Sequence, residues 1–137
     1  MPAAERIWTI VVGGGSGRRF GTPKQYEMIG AERVIDRSVA VAHSVSDGVV
    51  VVVPPQDAVR EGAVAGGATR SDSVRAGLAA VPADATIVCV HDAARPLASP
   101  ELYRRASAAV HDGADAAIPG ISVTDTIKVV ALSLIHI

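Results

Sequence analysis

Six residues dominated by apolar side chains, Ile7-Trp8-Thr9-Ile10-Val11-Val12, run directly into three consecutive glycines, Gly13-Gly14-Gly15. This junction restricts the fold more than any other stretch of the chain. A strand with almost no polar alternation is buried on both faces, which is the habit of parallel strands covered by helices. A glycine-rich turn at the end of such a strand lets several backbone N–H groups converge on an anion. A second run of the same kind, Gly48 to Val53, holds five valines in a row and stops at Pro54-Pro55. With 24 alanines and 21 valines among 137 residues, the composition fits valine-rich strands separated by small-residue helices.

The remaining punctuation gives the order of elements. Val34 to Ala42 reads as a helix, with Ile35, Val39 and Ala42 on one face. Residues 57–62 read as a short helix and 63–65 as a short strand before Gly66-Gly67. Ser71 is predicted to cap a helix that presents Val74, Leu78 and Val81 along one face and ends at Pro82. Thr86 to Val90 reads as a strand. Ser99-Pro100-Glu101 starts a further helix that Gly113 closes. Ala116 to Pro119 and Ile121 to Val130 read as late strands. Strands alternating with helices predict an α/β fold, a Rossmann-like, doubly wound, mostly parallel sheet with helices on both faces. Ligands of such sheets bind beyond the carboxyl ends of the strands.

Composition removes several classes of function. A formal net charge of -1 leaves no electrostatic footprint for nucleic acid. Trp8, Phe20, Tyr26 and Tyr103 are too few for a base-stacking platform. Cys89 is the single cysteine, so an internal disulfide framework and a CxxC metal site are excluded. No apolar run approaches the roughly 20 residues of a membrane helix. The N-terminal apolar stretch is too short and broken for a signal peptide. The expectation is a soluble cytoplasmic protein that binds neither membrane nor nucleic acid.

Four motifs fall where a ligand would sit. The first is the loop from Gly13 through Gly14, Gly15, Gly17, Arg18 and Arg19 to Pro23-Lys24-Gln25. Its glycines offer backbone donors, and Arg18, Arg19 and Lys24 add positive charge, a combination suited to a triphosphate. It is not a Walker loop, which closes on Gly-Lys-Ser/Thr, nor the dinucleotide fingerprint, since Phe20 stands where the last glycine belongs. The second motif, Gly66-Gly67-Ala68-Thr69-Arg70-Ser71-Asp72-Ser73, is a turn and helix start. It either offers backbone groups and Ser73 to a base edge or is an ordinary capped helix.

The third motif, Val90-His91-Asp92-Ala93-Ala94-Arg95-Pro96, ends a strand in charged residues. Asp92 is suited to hold Mg²⁺ or another divalent cation, which prefers oxygen ligands and bridges phosphates. Arg95 is suited to fork onto a substrate phosphate, and an Asp92–Arg95 ion pair bracing the turn is the alternative. His91 reads as a packed or hydrogen-bonded histidine. The fourth motif, Ser122 to Lys128, places Thr124, Thr126 and Lys128 on one strand face, either lining a substrate site or facing solvent.

In this order, the four motifs resemble the 2-C-methyl-D-erythritol 4-phosphate cytidylyltransferase family, over roughly Ile7 to Val130. The glycine loop with Pro23-Lys24-Gln25 marks the wider nucleotidyltransferase group. Val90 to Pro96 and Asp125-Thr126-Ile127-Lys128 are the more specific marks. The resemblance implies a nucleotidyltransferase-type fold. It also implies transfer of a cytidylyl group from CTP to a sugar-alcohol phosphate, with release of pyrophosphate, in the non-mevalonate route to isoprenoid precursors. It implies Arg19 and Lys24 as catalytic cations, and Gly13, Gly14, Gly15, Gly17 and Arg18 around the triphosphate. Gly67 and Ser73 match the cytosine-contacting segment. Asp92 and Ala93 match the ribose and metal region. Arg95, Thr126 and Lys128 match the sugar-phosphate site.

Two positions depart from the family pattern. Val12-Gly13-Gly14 replaces the usual Pro-Ala-Ala, and Ala68 stands where an acidic residue is common. The final six residues, Leu132-Ser133-Leu134-Ile135-His136-Ile137, match a one-frame translation of a common sequencing-adapter end. They are read as a non-native tail, 132–137, on an incomplete nucleotide-binding α/β domain, 1–131. Family members continue further, with a protruding β-arm exchanged between subunits, so a homodimer is expected of the complete protein and the fragment itself is expected to be inactive. A cytidylyltransferase for another polyol phosphate, such as ribitol 5-phosphate, and a non-catalytic nucleotide-binding module remain as alternatives. A dinucleotide-dependent dehydrogenase is disfavoured, because Val53-Pro54-Pro55 supplies no ribose-binding acid.

Overall fold

The computed structural model of the chain describes residues 5–14 and 23–124. The valine-rich runs become the two inner strands of a parallel sheet. Strand β1 (Ile7–Val12) lies between β4 (Gly48–Val53) and β6 (Ile87–Asp92), and β5 (Val64–Ala65) extends the sheet beyond β4, giving the order β5-β4-β1-β6. A hairpin of β2 (Met28–Ile29) and β3 (Glu32–Arg33) stands apart from it. The helices are α1 (Val34–His43), the single turn α2 (Ala58–Glu61), α3 (Arg70–Ala80) and α4 (Pro100–His111). Turns of 3₁₀ helix at Lys24–Tyr26 and Pro55–Asp57 complete the described elements.

Strand alternation divides the core in two. Val11 and Val53 point to the face covered by α1, where they pack with Ile35, Ala42, Ala58 and Ala93. Ile10, Val12, Val50 and Val52 point to the opposite face, against Val74 and Val81 from α3 and its end. The sheet is therefore wound with helices on both faces, as the alternating pattern predicts. Tyr103 of α4 packs its ring 5.4 Å from the His91 ring, on the α1 side of β6.

The structure corrects the sequence reading of α3. Its N-cap is Thr69, not Ser71: the Thr69 side chain accepts from the Asp72 N–H, and Asp72 returns a bond to the Thr69 N–H in a full capping box. Leu78, expected on the buried face, is 47% exposed, while Ser73 and Gly77 are buried. The helix sits so close to the sheet that a methyl at Gly77 would lie 2.5 Å from Ile10 Cγ2 and 3.0 Å from Val52 Cγ2. A leucine cannot occupy that gap. Ala116 to Pro119 forms no strand, because it pairs with no other segment among the described residues. Strand β6 reaches Asp92, two residues past the expected end. The second late strand, 121–130, is without regular structure to Thr124, and its remainder lies outside the described residues, as does the suspected tail at 132–137.

Candidate active site

The carboxyl ends of β1, β4 and β6 are pinned by bonds that continue the sheet one residue further. The Gly13 N–H donates to the Val52 carbonyl at 2.7 Å, the Ala93 N–H to Val12 at 2.9 Å, and the Gly66 N–H to Val53 at 2.8 Å. Beyond them opens a cavity of about 600 Å³. One side is Val12, Gly13 and Gly14 from the end of β1; Lys24 and Gln25 face it from the 3₁₀ turn. Ala68, Thr69, Arg70 and Ser73 come from the start of α3, and Asp92, Ala94 and Arg95 from the end of β6. The structure thus brings three of the four sequence motifs to one cleft at the strand ends.

The wall is electropositive. Among the described lining residues, Lys24, Arg70 and Arg95 are cationic and Asp92 alone is a carboxylate. The Asp92 Oδ1 accepts from Arg70 Nε at 3.1 Å and Nη2 at 2.8 Å, and its Oδ2 lies 3.5 Å from Arg95 Nε. The expected Asp92–Arg95 pair therefore exists but is the longer of the two contacts. Arg70, which the sequence reading passed over, makes the closer one. Fixed cations beside backbone donors in a partly enclosed cleft favour a polyanionic ligand.

Ser73 is 2% exposed. Its hydroxyl accepts from the Gly67 N–H at 3.2 Å and donates to the Thr69 carbonyl at 3.1 Å, so it holds the Gly66-Gly67 turn against α3. The same oxygen would lie 2.9 Å from a Cβ added at Gly14, so the second loop glycine gives it room. Ser73 thus has a structural role in bracing this turn while also lining the cavity, and the capped-helix alternative is met by Thr69 and Asp72. Ala93 is fully buried, its N–H bonded to Val12 and its carbonyl accepting from Ser38 Oγ at 2.8 Å. The cavity wall falls to Ala94 instead of the expected Ala93. Gly67 acts on the cavity through Ser73 and does not line it.

Gln25 is a second residue that the sequence reading missed. It is 5% exposed, and its Nε2 has no hydrogen-bond partner among the described residues. A buried amide donor without a partner is costly, and here it belongs to a residue of the cavity wall, where a ligand oxygen can satisfy it. His91 behaves as a structural histidine. Its Nε2 lies 3.1 Å from the Arg95 carbonyl, and burial pushes its pKa down, so the neutral ring donates there and braces the turn. Gly15, Gly17, Arg18, Arg19, Thr126 and Lys128 lie outside the described residues.

No group of three or more His, Cys, Asp or Glu side chains suited to a metal occurs among the described residues. Among the described residues, Asp92 therefore belongs to no such group. A hard cation carried on phosphate oxygens needs only one or two protein carboxylates, and Asp92 at the cleft fits that arrangement. No helix among the described residues is long and apolar enough to cross a membrane.

Comparison with known proteins agrees with this geometry. The family model described as 2-C-methyl-D-erythritol 4-phosphate cytidylyltransferase matches residues 7–136. A bifunctional enzyme IspD/IspF from Anaeromyxobacter dehalogenans (strain 2CP-C) is 48% identical over 142 residues, covering 93% of this chain and 36% of the relative. The 2-C-methyl-D-erythritol 4-phosphate cytidylyltransferase of Frankia casuarinae is 41% identical over 138 residues, covering 92% of this chain and 52% of the relative. A crystal structure of 4-diphosphocytidyl-2C-methyl-D-erythritol synthase matches with a TM-score of 0.71 at 26% identity, over 94% of this chain and 65% of that one. The chain thus spans about a third to a half of the length of these curated relatives. By sequence and by fold, the chain belongs to the 2-C-methyl-D-erythritol 4-phosphate cytidylyltransferase family.

Proposed function

We propose that this chain is the nucleotide-binding portion of an enzyme that transfers a cytidylyl group from CTP to 2-C-methyl-D-erythritol 4-phosphate, in isoprenoid precursor synthesis. The observation that carries the proposal is the cleft at the strand ends, with Lys24, Arg70 and Arg95 around a single described carboxylate, Asp92. In the reaction an oxygen of the acceptor phosphate attacks the α-phosphorus of CTP. The bond from that phosphorus to the bridging oxygen breaks, and pyrophosphate leaves with the electron pair. Two anions must meet, so catalysis is mainly electrostatic.

Lys24, with Arg19, neutralises the charge gathered at the α-phosphorus. Gly13, Gly14, Gly15, Gly17 and Arg18 receive the triphosphate. Gly67 and Ser73 shape the base pocket, and Arg95, Thr126 and Lys128 hold the acceptor phosphate. A divalent cation, Mg²⁺ among the candidates, would be held by Asp92 and would supply charge neutralisation on the phosphates. A cytoplasmic setting and a homodimer of the complete protein belong to the same proposal.

The test is pyrophosphate release by the complete enzyme with CTP and either 2-C-methyl-D-erythritol 4-phosphate or ribitol 5-phosphate as acceptor, beside a CTP-binding titration of this chain. Release with the methylerythritol phosphate supports the proposal. Release only with the ribitol phosphate reassigns the acceptor. Binding of CTP without turnover leaves a nucleotide-binding module.

A further inference from the structure

The 3₁₀ turn Lys24–Tyr26 carries two residues of the cavity wall, Lys24 and Gln25. It has no side-chain cap, and its backbone bonds run from the Tyr26 N–H to the Pro23 carbonyl at 3.0 Å and from the Glu27 N–H to the Lys24 carbonyl at 3.2 Å. A piece of 3₁₀ helix this short does not fix its own place. Tyr26 ties it to the body of the fold. Its hydroxyl donates to Asp57 Oδ2 at 3.1 Å. The guanidinium groups of Arg60 and Arg33 stand over its ring, 5.1 and 5.7 Å from the centroid, within cation–π range. Both arginines are held in turn. Arg60 pairs with Asp57 at 3.1 Å and Glu61 at 3.0 Å, and Arg33 with Glu61 at 3.0 Å and Asp36 at 2.7 Å. The Asp57 and Glu61 side chains are 13% and 10% exposed, so these pairs are less screened than surface ones. The ring also packs on the cluster of Val11, Ile35 and Ala58. Tyr26 and its partners stand behind the cavity wall and do not line it.

We propose that Tyr26, clamped by Asp57 and the two arginines, is a positioning residue that fixes where Lys24 stands at the cleft, and so sets the rate of cytidylyl transfer and not the affinity for the nucleotide. The inference rests on the proposed catalytic role of Lys24. The Lys24 side chain is exposed and flexible, so the place of its backbone decides which points its ammonium can reach. A charge already in place when the transition state forms needs no reorganisation, whereas a misplacement of about 1 Å can cost about 100-fold in rate. Tyr26 is two residues from Lys24 on the same turn, and the Glu27 N–H bond to the Lys24 carbonyl couples the two ends of that turn. A ring that loosens from Asp57 therefore carries Lys24 with it.

The test is steady-state kinetics of the complete enzyme carrying Tyr26→Phe, Lys24→Ala or both, with CTP varied at a saturating level of whichever acceptor phosphate supports pyrophosphate release. Tyr26→Phe keeps the ring and loses the bond to Asp57. It should lower kcat about 3- to 10-fold and leave the KM for CTP within about twofold, the pattern of an interaction made in the transition state. Added to Lys24→Ala, the same substitution should change kcat by less than about twofold, because residues that act as a unit are not additive. An unchanged kcat in Tyr26→Phe, with or without a raised KM, overturns the inference while a slow Lys24→Ala keeps the role of Lys24. Equal losses from Tyr26→Phe with and without Lys24 also overturn it, since Tyr26 would then support the fold and not the lysine. If Lys24→Ala keeps its kcat, or neither acceptor supports release, the catalytic reading of Lys24 fails and the inference with it. Should Tyr26→Phe lose its native far-UV dichroism, Asp57→Asn, which preserves the shape of the acceptor, decides by the same comparisons.

Discussion

Replacing Gly77 by alanine tests how α3 is seated, and with it the wall of the cleft. The added methyl would lie 2.5 Å from Ile10 Cγ2 and 3.0 Å from Val52 Cγ2. Carbon atoms pack best at about 3.5–4.0 Å, so either the helix retreats by about 1 Å or Ile10 leaves its rotamer. Ile10 and Val52 are fully buried, and close-packed interiors leave little room for such a shift. Overpacking of this kind costs about 1–3 kcal/mol, and two contacts at once place Gly77→Ala in the upper part of that range. Alanine recovers about 1 kcal/mol over glycine in a helix interior. The expected net loss is about 1–2 kcal/mol, which at an m-value of about 2 kcal/mol/M moves the urea midpoint down by about 0.5–1 M. Ala79→Gly, at an exposed position of the same helix, calibrates the propensity term and should cost about 1 kcal/mol. If Gly77→Ala were as stable as the unsubstituted chain while Ala79→Gly showed its ordinary loss, α3 would not be packed on β1 and β4 as described.

Thr69→Ala removes the capping box and should cost about 1 kcal/mol, seen as a fall in Tm of about 3–5 °C; an unchanged Tm would deny the cap its role. Tyr26 and Tyr103 are both pushed up to about 12, each chiefly by burial, and Tyr26 also by its hydrogen bond to Asp57. Folding therefore holds their protons, and the stability this adds is complete below pH 10 and is lost as pH rises toward 12. Absorbance at about 295 nm should accordingly show no tyrosinate near the ordinary pKa of about 10 while far-UV dichroism remains native, and a step there in folded protein contradicts the packing. Burial depresses the His91 pKa, so the unfolded chain takes up the proton first and stability falls as pH drops below about 6.5. His91→Gln should flatten that slope in urea titrations between pH 7.5 and 5, and parallel curves for the two proteins would refute it. On the proposed reaction, Lys24→Ala in a complete enzyme should cut kcat about 100-fold, and a kcat within about twofold of the unsubstituted enzyme would remove Lys24 from catalysis.

The parts of the fold that were legible in the sequence are those whose signal is local. The runs at Ile7 to Val12 and Gly48 to Val53 became the two central strands, because continuous apolar character has few other outlets. Periodicity located α1 and its buried residues Ile35 and Ala42. It failed on α3, where contact with the sheet is made by Ser73 and Gly77, small residues that carry no hydrophobic signal. The correct cap was legible, since Thr69 and Asp72 have the spacing of a capping box, but Ser71 competed for the role. The hairpin at Met28 to Arg33 escaped notice because Met28 and Ile29 are exposed and its strands are two residues each. Ala116 to Pro119 has the composition of a strand, but a strand is completed only by a partner. At the cleft, Lys24, Asp92 and Arg95 were legible from their place at the ends of strands and loops. Arg70 was not, because what marks it is a carboxylate 22 residues away.

The charge of the cleft and the register of the sheet are set by one constraint. In β6, Asp92 pairs with Val12 of β1, and Val12 faces α3. Parity therefore sends Asp92 toward the start of α3, where Arg70 meets it. One residue later the chain turns the other way, and Ala93 enters the core beneath α1, where Ser38 bonds its carbonyl. Slipping β6 by a single position would exchange these environments, because side chains alternate along a strand. The carboxylate would then enter the apolar core without its arginines, and burying an unpaired charge is far more costly than any contact the slip gains. An alanine would meanwhile stand opposite Arg70. The register that leaves the core free of charge is therefore also the one that delivers the carboxylate to the cleft, and stability and site geometry are enforced together.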